Sequence, residues 1–171
     1  MEEGNILIIS IKEIRNFIIS ILIPLLIGFS SSFIARILLG MDISTYYSQL
    51  IKPGFAPPSF IFPIAWTIIY VLMGISAYIV MKKGSNLSKV RDAMFYYWLQ
   101  LGLNFLWVIL FFGLELRFTA LIDLIILIVI IIIMIFKFYK LDKKAAYINV
   151  PYIMWSLYAL FLNYFIWIIN K

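Results

Sequence analysis

The stretch FTALIDLIILIVIIIIMIFKFY at residues 118–139 decides the fold, because it is long enough to cross a lipid bilayer as one helix. From Leu124 to Ile135 it contains almost nothing but isoleucine, leucine and valine. Asp123 is the exception, and an acid inside a span is a candidate functional residue. Because Asp123 lies only a few residues from the start of the span, we expect it to cap the helix or to form a structural pair.

The rest of the chain has the same apolar character. Of its 171 residues 65% are hydrophobic and 13% are charged, and the mean hydropathy is +1.06. Soluble domains contain roughly 45–50% apolar and about 25% charged residues. This composition excludes a single soluble core, because too few polar residues are present to cover it.

Further apolar stretches on both sides of this segment predict four more spans. The fold class is therefore an all-α integral membrane protein, a five-transmembrane-helix bundle that forms one domain over residues 1–171. The predicted spans are residues 17–36, 59–81, 93–112, 118–139 and 147–170. Small residues on the first span, Gly28, Ser32 and Ala35, favour close helix contact. On the third span one face carries Gln100, Asn104, Trp107 and Phe111, and we expect its two amides to look into the bundle.

The N-terminal residues 1–16 mix charged residues with isoleucine. Ile11, Ile14 and Ile18 have the spacing of a helix that lies at the membrane interface and leads into the first span. A cleaved signal peptide is the alternative, because small residues follow the apolar stretch. The acidic start and the length of that stretch argue against cleavage.

The composition also limits the chemistry. The sequence contains no cysteine and no histidine, which excludes disulfides, thiolate nucleophiles, and histidine as a general base or haem ligand. We therefore predict no metal site and no cofactor. The net charge of +6 comes from cations at the span ends, so we expect it to reflect membrane topology and predict no nucleic-acid partner.

The distribution of these cations predicts the orientation. Ten of the 14 lysines and arginines fall on the side that holds the N-terminus and the turns after spans two and four. By the positive-inside rule the N-terminus faces the cytoplasm of a cell membrane, and the first long loop faces outward. A bacterial or organellar outer membrane is the alternative location.

The connection at residues 37–57 ends in the sequence KPGFAPP at residues 52–58. Its three prolines exclude a helix interior and make the segment stiff. Loops of this length are uncommon unless they are functional or disordered, so we expect an ordered lid. The following span places aromatic and small residues on one helix face, at the positions Trp66, Tyr70, Met73 and Ala77.

With all five spans placed, the chain resembles the tryptophan-rich sensory protein / translocator protein family over roughly residues 20–167. The resemblance is carried by motifs in the lid and in four of the spans. They are Lys52-Pro53 and Pro57-Pro58; Trp66, Tyr70, Met73-Gly74 and Tyr78; Gln100, Leu103-Asn104, Trp107 and Phe111-Phe112-Gly113; Ala120-Leu121 and Asp123; and Pro151-Tyr152, Trp155, Ala159, Leu162-Asn163-Tyr164 and Trp167.

The resemblance implies a five-helix bundle, expected as a homodimer, with a ligand pocket under the first long loop. The ligands of the family are porphyrins such as protoporphyrin IX, cholesterol-like membrane lipids, and synthetic benzodiazepines or isoquinolines. In bacterial relatives two pocket tryptophans are linked to light- and oxygen-dependent porphyrin breakdown, and they match Trp66 and Trp155. We expect the ligand-binding residues to be Tyr47, Phe55, Pro57, Trp66, Tyr70, Asn104, Trp107, Trp155 and Ala159.

The chain departs from the family pattern at two places. Phe55 stands where the family usually has tryptophan, so the aromatic ring is kept but the indole N–H is lost. Ile168 occupies the basic position of the proposed cholesterol motif, which makes tight cholesterol binding doubtful. We therefore expect a ligand preference that differs from that of the relatives.

Three functions remain open on the sequence alone. The first is a membrane receptor or sensor that binds porphyrins, or another flat apolar ligand, and lipids. The second is a catalyst of porphyrin photo-oxidation through Trp66 and Trp155, which would not be a conventional enzyme. The third is a porphyrin or lipid transporter, which the lack of an inverted repeat disfavours. Lys52 is either an interfacial anchor or a partner for a porphyrin propionate.

Overall fold

A computed structural model describes residues 11–84 and 87–171 of the chain. The described residues form seven α-helices and a π-helix, and no strand occurs among them. The elements are α1 (Ile11–Leu39), α2 (Ile43–Gln49), α3 (Ile61–Met81), α4 (Ser88–Val108), a π-helix (Ile109–Gly113), α5 (Arg117–Leu141), α6 (Lys143–Ile148) and α7 (Val150–Ile169).

Five helical segments are long and apolar enough to cross a membrane, as the sequence predicts. They are α1, α3, α4 with the π-helix, α5, and α6 with α7. In the bundle α1 packs mainly on α3, α4 on α5, and α5 on α7. The predicted all-α five-helix membrane fold is therefore confirmed.

The helix bounds differ from the predicted ones at several ends. The first helix begins at Ile11, before the predicted residue 17, and continues to Leu39. Residues 11–16 therefore belong to the same helix as the first span and form no separate interfacial helix, while residues 1–10 lie outside the described part. The last span is interrupted at Asn149, which separates α6 from α7.

The predicted loop at residues 37–57 contains the short helix α2. Its N-cap is Asp42, whose carboxylate accepts a hydrogen bond from the Ser44 backbone N–H at 3.1 Å. Tyr46 and Tyr47 are the buried residues of α2. The lid is therefore ordered, but it is partly helical where the sequence predicts only a loop.

Asp123 differs from its expected role. It lies beyond the first turn of α5, so it caps no helix end, and its side chain is buried. Its Oδ2 atom has no hydrogen-bond partner among the described residues. We expected Asp123 to form a structural pair, but its Oδ2 atom takes no part in one among the described residues.

Ion pairs mark the two ends of the bundle. At the end of the bundle where α3 and α5 end, Lys83 forms an ion pair with Asp142 at 2.8 Å. At the same end Lys82 forms an ion pair with Glu13 at 3.1 Å. The ion pair raises the pKa of Lys82, chiefly through the hydrogen bond to Glu13. At the opposite end Arg117 contacts Glu115 at 3.2 Å. These three ion pairs thus lie outside the apolar middle of the bundle, where charges in a membrane protein cost least.

Candidate ligand-binding site

A cavity of about 330 Å³ lies at the lid end of the bundle, between α1, α2, α3 and the end of α4. Its volume falls in the range of roughly 300–1,000 Å³ that is usual for small-molecule sites. Its walls are mostly apolar and aromatic. The lining residues are Gly28, Ser32, Ile43, Ser44, Tyr47, Ser59, Phe60, Phe62, Pro63, Trp66, Tyr70, Trp107, Val108 and Phe112.

Aromatic rings from α3 and α4 form one wall of the cavity. Trp66 stacks on Tyr70 with ring centroids 5.6 Å apart and an interplanar angle of 28°. Trp107 lies 6.4 Å from Trp66 at an angle of 39°. Three predicted site residues are thus adjacent and line the cavity with aromatic rings, with which a flat apolar ligand can make aromatic contacts.

Tyr70 links this wall to a buried polar chain in the bundle centre. Its hydroxyl donates a hydrogen bond to Asn104 Oδ1 at 2.6 Å, and Asn104 Nδ2 donates to the Tyr152 hydroxyl at 3.4 Å. Tyr152 in turn donates to Gln100 Oε1 at 2.7 Å. Asn104 is fully buried and does not line the cavity. Its place is therefore behind the wall, where it holds Tyr70.

Trp107 has its own hydrogen-bond partner. Its indole Nε1 donates to Asn163 Oδ1 at 3.1 Å, and Asn163 Nδ2 donates to the Arg117 carbonyl at 3.0 Å. The ring of Trp107 lines the cavity while its polar atom is satisfied by α7. A ligand in the cavity would thus contact the ring of Trp107 without competing for its N–H.

Glycine makes room for the aromatic wall. A Cβ atom at Gly28 would lie 2.1 Å from a ring carbon of Tyr70, which is far below van der Waals contact. Gly28 on α1 therefore allows the Tyr70 ring to occupy its position. The small-residue strip predicted on the first span thus has a role in shaping the cavity at this point.

The lid residue Tyr47 lies over the cavity. Its side chain is buried, and its hydroxyl donates to the Pro57 carbonyl at 3.1 Å. Its ring meets the edge of Phe62 at 5.0 Å. Burial, together with a smaller contribution from the nearby Tyr158, raises the pKa of Tyr47 to about 12. Pro57 thus contributes a backbone carbonyl that fixes Tyr47 and is not itself part of the lining.

Lys52 stabilises the lid through hydrogen bonds and does not line the cavity. Its ammonium group donates to three backbone carbonyls at the end of α2, those of Tyr47, Ser48 and Leu50, at 2.8, 3.1 and 2.9 Å. A lysine has three N–H donors, so all of them are used. This geometry favours the anchoring interpretation of Lys52 over a contact with a propionate.

Phe55 lies outside the cavity. Its side chain is 48% exposed and packs on α7, against Phe165 at 5.5 Å and Tyr158 at 6.4 Å. The Tyr158 hydroxyl donates to the Phe55 carbonyl at 3.0 Å. In this structure the ring therefore fastens the lid to α7.

Trp155 and Ala159 are also outside the main cavity. Trp155 contacts Phe62 and Tyr158 at 6.1 and 5.4 Å, and its buried Nε1 has no partner among the described residues. Ala159 lines a separate void of about 10 Å³ that also touches Tyr47 and Phe62. The structure therefore groups Tyr47, Trp66, Tyr70 and Trp107, but it places Trp66 and Trp155 in different surroundings.

The sequence reasoning missed Phe60, Phe62 and Pro63, which line the cavity at the start of α3. Phe62 precedes Trp66 by four residues, so it belongs to the same helix face. The helix face that carries Trp66 and Tyr70 includes Phe62 when it is continued by one turn toward the lid. Ile43 and Ser44 had no comparable signal, because α2 was not predicted.

The sequence of the chain is similar to those of known proteins. The model of the TspO/MBR family matches residues 20–168. The chain belongs to the TspO/MBR family. Family membership and the five apolar helices together make it a multi-pass membrane protein.

Three members of the TspO/MBR family illustrate the range of similarity. The chain is 40% identical to the tryptophan-rich protein TspO of Archaeoglobus fulgidus, over 92% of this chain and 99% of the relative. It is 34% identical to the tryptophan-rich sensory protein of Cereibacter sphaeroides, over 70% and 73%. It is 32% identical to the translocator protein of Sus scrofa, over 88% and 87%.

Proposed function

We propose that this protein is a membrane receptor or sensor that binds a flat tetrapyrrole, such as protoporphyrin IX, in the cavity under the lid. The observation that carries the proposal is the wall formed by Trp66, Tyr70 and Trp107 beside a cavity of about 330 Å³. Offset or tilted aromatic contacts are each worth about 0.5–1.5 kcal/mol beyond the burial of area. A planar macrocycle makes several such contacts at once.

The relatives support the sensor part of the proposal. One of them is named a tryptophan-rich sensory protein, and others are named translocator proteins. A sensor needs a ligand site coupled to the rest of the molecule, and Tyr70 joins the cavity to the polar chain through Asn104. A ligand that moves the Tyr70 ring would disturb that hydrogen bond.

Binding has more support here than turnover or transport. A porphyrin in the cavity would contact Trp66, whereas Trp155 lies outside it with Phe62 beside it. The two tryptophans proposed for photo-oxidation therefore do not share one ligand surface. Apolar and hydroxyl side chains line the cavity, and none of its lining residues within 11–84 and 87–171 is a charged residue of the kind that marks a transport pathway.

The test is a titration of the detergent-solubilised protein with protoporphyrin IX, followed by tryptophan fluorescence. We expect saturable quenching, and we expect Trp66→Leu to weaken binding by about 2- to 13-fold because one stacking contact is lost. Trp167→Phe is the matched control, since Trp167 packs on Phe118 away from the cavity. Equal binding by wild type and Trp66→Leu would refute the proposed site.

Illumination separates binding from turnover in the same sample. The receptor proposal expects the porphyrin absorption spectrum to stay constant at saturating ligand. Loss of absorbance that requires Trp66 would instead indicate photo-oxidation. Flux of porphyrin into sealed vesicles that depends on the protein would indicate transport, and either result would replace the receptor proposal.

We also propose that the protein lies in a cell membrane with its N-terminus in the cytoplasm, because ten of its 14 cations lie on that side of the bundle. The lid and the cavity then lie toward the outer face. The homodimer that the family resemblance implies stays a prediction. Sedimentation of the protein in a density-matched detergent would test it.

A further inference from the structure

A second cavity lies at the end of the bundle opposite the lid. This basic-end groove, of about 360 Å³, lies between the start of α1, the end of α3 and the start of α4. It shares no lining residue with the cavity under the lid. A ligand here would therefore form a separate site.

The walls of the basic-end groove suit a hydrocarbon chain. Ile19 and Ile23 come from α1, Met81 from α3, and Met94 from α4. Ser20 also lines it, but its hydroxyl already donates to the Phe17 carbonyl at 2.7 Å. Methionine and isoleucine adapt to a flexible apolar chain at low cost. The interior of the groove therefore offers burial more than directed hydrogen bonds.

The mouth of the groove is charged. Lys82 and Glu13 line it and bond each other at 3.1 Å. Lys12 precedes the lining residue Asn16 by one turn of α1, and Arg91 precedes Met94 by one turn of α4. Neither Lys12 nor Arg91 forms an ion pair with any residue in the ranges 11–84 and 87–171.

Trp98 also lines the groove and is 47% exposed. It lies ten residues along α4 from the start of that helix at Ser88, a distance of about 15 Å. Its ring therefore lies beside the apolar walls, deeper in the membrane than the charged mouth formed by Lys82 and Glu13. The groove thus has the depth profile of one lipid molecule.

We propose that the basic-end groove binds one anionic phospholipid, with an acyl chain between α1 and α4 and the phosphate among Lys12, Lys82 and Arg91. Glu13 offsets the charge of Lys82, so Lys12 and Arg91 supply the net positive charge of the mouth. This charge selects the occupant, since cations near the surface attract anionic lipids by about 1 kcal/mol each. An uncharged phospholipid would gain the same burial but not this attraction. The site is independent of porphyrin binding at the other end.

The test uses nanodiscs of phosphatidylcholine with a fixed fraction of lipid that carries brominated acyl chains, which quench tryptophan on contact. The difference between wild type and Trp98→Phe isolates the signal of Trp98. We expect brominated phosphatidylglycerol to quench this signal at several-fold lower mole fraction than brominated phosphatidylcholine. Equal quenching by the two lipids would overturn the proposal.

Two pairs of variants separate a bound lipid from general attraction to the surface. Lys12→Gln with Arg91→Gln should reduce the preference for phosphatidylglycerol by about fivefold for each cation. The matched control is Lys140→Gln with Lys144→Gln. It removes two cations at the same end that form no ion pair with any described residue, and it should leave the preference unchanged. Equal losses in the two pairs would mean surface attraction only and would also overturn the proposal.

Filling the groove is the independent check. Ile19→Phe adds volume at a wall residue that is 43% exposed, so the ring has room to be accommodated. We expect it to abolish the lipid preference while the thermal unfolding and the protoporphyrin titration remain those of wild type. Retention of the full preference in Ile19→Phe would overturn the placement of the acyl chain.

Discussion

Gly74 fixes the distance between α1 and α3. A Cβ atom at this position would lie 2.5 Å from the Ile21 Cα and from the Ser20 carbonyl oxygen, both of which belong to the backbone of α1. Backbone atoms cannot rotate away, so the two helices would have to separate. Gly102 on α4 is different, because no atom lies within 4 Å of the equivalent Cβ position.

These two glycines give a matched pair of substitutions. Gly74→Ala should lower the free energy of unfolding by about 1–3 kcal/mol, the usual cost of forcing atoms into a packed contact. Gly102→Ala should raise it by about 0.5–1 kcal/mol, because alanine loses less backbone entropy in a helix. Denaturant unfolding in one detergent measures both. Similar effects of the two substitutions would contradict the close helix contact.

Trp107 and Trp155 offer a second comparison at the residue scale. Trp107→Phe leaves the buried Asn163 Oδ1 without its donor and should cost about 1–3 kcal/mol more than Trp155→Phe. The indole N–H of Trp155 has no partner among the described residues, so its loss breaks no hydrogen bond. Unfolding of both variants in the same detergent measures the difference. A larger loss for Trp155→Phe would show that its N–H has an acceptor in solution.

The sequence predicted part of the site at this scale. Trp66 and Tyr70 contact each other because they are four residues apart on one helix, and this spacing can be read from the sequence. Trp155 and Phe55 could not be placed in the same way. Their positions depend on how α7 is rotated about its own axis and on how the lid crosses it, and both depend on contacts between distant segments.

At the scale of elements, the lid is fastened at several points. The Asn170 side chain donates to the Ile51 carbonyl at 2.8 Å and accepts from its N–H at 3.0 Å, so the end of α7 holds the lid as a strand partner would. Tyr46 accepts from Arg117 at 2.6 Å. Burial raises the pKa of Tyr46 although the cation opposes this shift. Hydrogen bonds to Asn170 and Arg117 therefore hold the lid in place, in addition to the stiffness of its prolines.

The lid should loosen in alkali because of Tyr47. An exposed tyrosine ionises near pH 10, whereas the folded lid keeps the proton of Tyr47 to about pH 12. The stabilisation from the neutral hydroxyl is therefore complete below pH 10 and is lost as the pH rises from 10 toward 12. Hydrogen exchange of residues 43–58, compared with the base-catalysed exchange rate of an unfolded peptide at each pH, measures this change. Tyr47→Phe should reduce the loss of protection above pH 10, and Tyr46, whose pKa burial also raises, accounts for the part that remains. An unchanged profile in Tyr47→Phe would assign the effect to another group.

The sequence predicted the five long helices better than their connections. A run of about 20 apolar residues can satisfy its backbone in lipid only as a helix, so the existence of the spans follows from composition. The short helix α2 has no such constraint and is set by the Asp42 cap and by contacts of its two tyrosines. The break at Asn149 had a signal in the sequence, because Pro151 occupies the first turn of α7, where a proline is compatible with a helix start. A tertiary contact also fixes it, since Asn149 Nδ2 donates to the Ser76 hydroxyl at 2.6 Å.

At the scale of the whole molecule, the orientation can be measured without background because the chain has no cysteine. Gly54 lies exposed in the lid, and Lys140 lies exposed at the opposite end of the bundle. In intact cells we expect an impermeant thiol reagent to label Gly54→Cys almost fully and Lys140→Cys only after permeabilisation. The reverse pattern would invert the proposed topology.

The π-helix at Ile109–Gly113 has a consequence for the shape of the whole bundle. A π turn holds one more residue than an α turn, so it shifts the angular phase of everything that follows it by about 100°. Four successive residues, from Leu110 to Gly113, can therefore be buried in turn, which a straight α-helix on a bundle surface does not allow. Gly113 then meets α1, where a Cβ atom would lie 3.1 Å from the Ala35 Cα. The third long helix of the bundle, α4 with the π-helix, therefore makes contacts on two sides. Gly113 at its end packs against α1, while Trp107, just before the π-helix, lines the cavity under the lid.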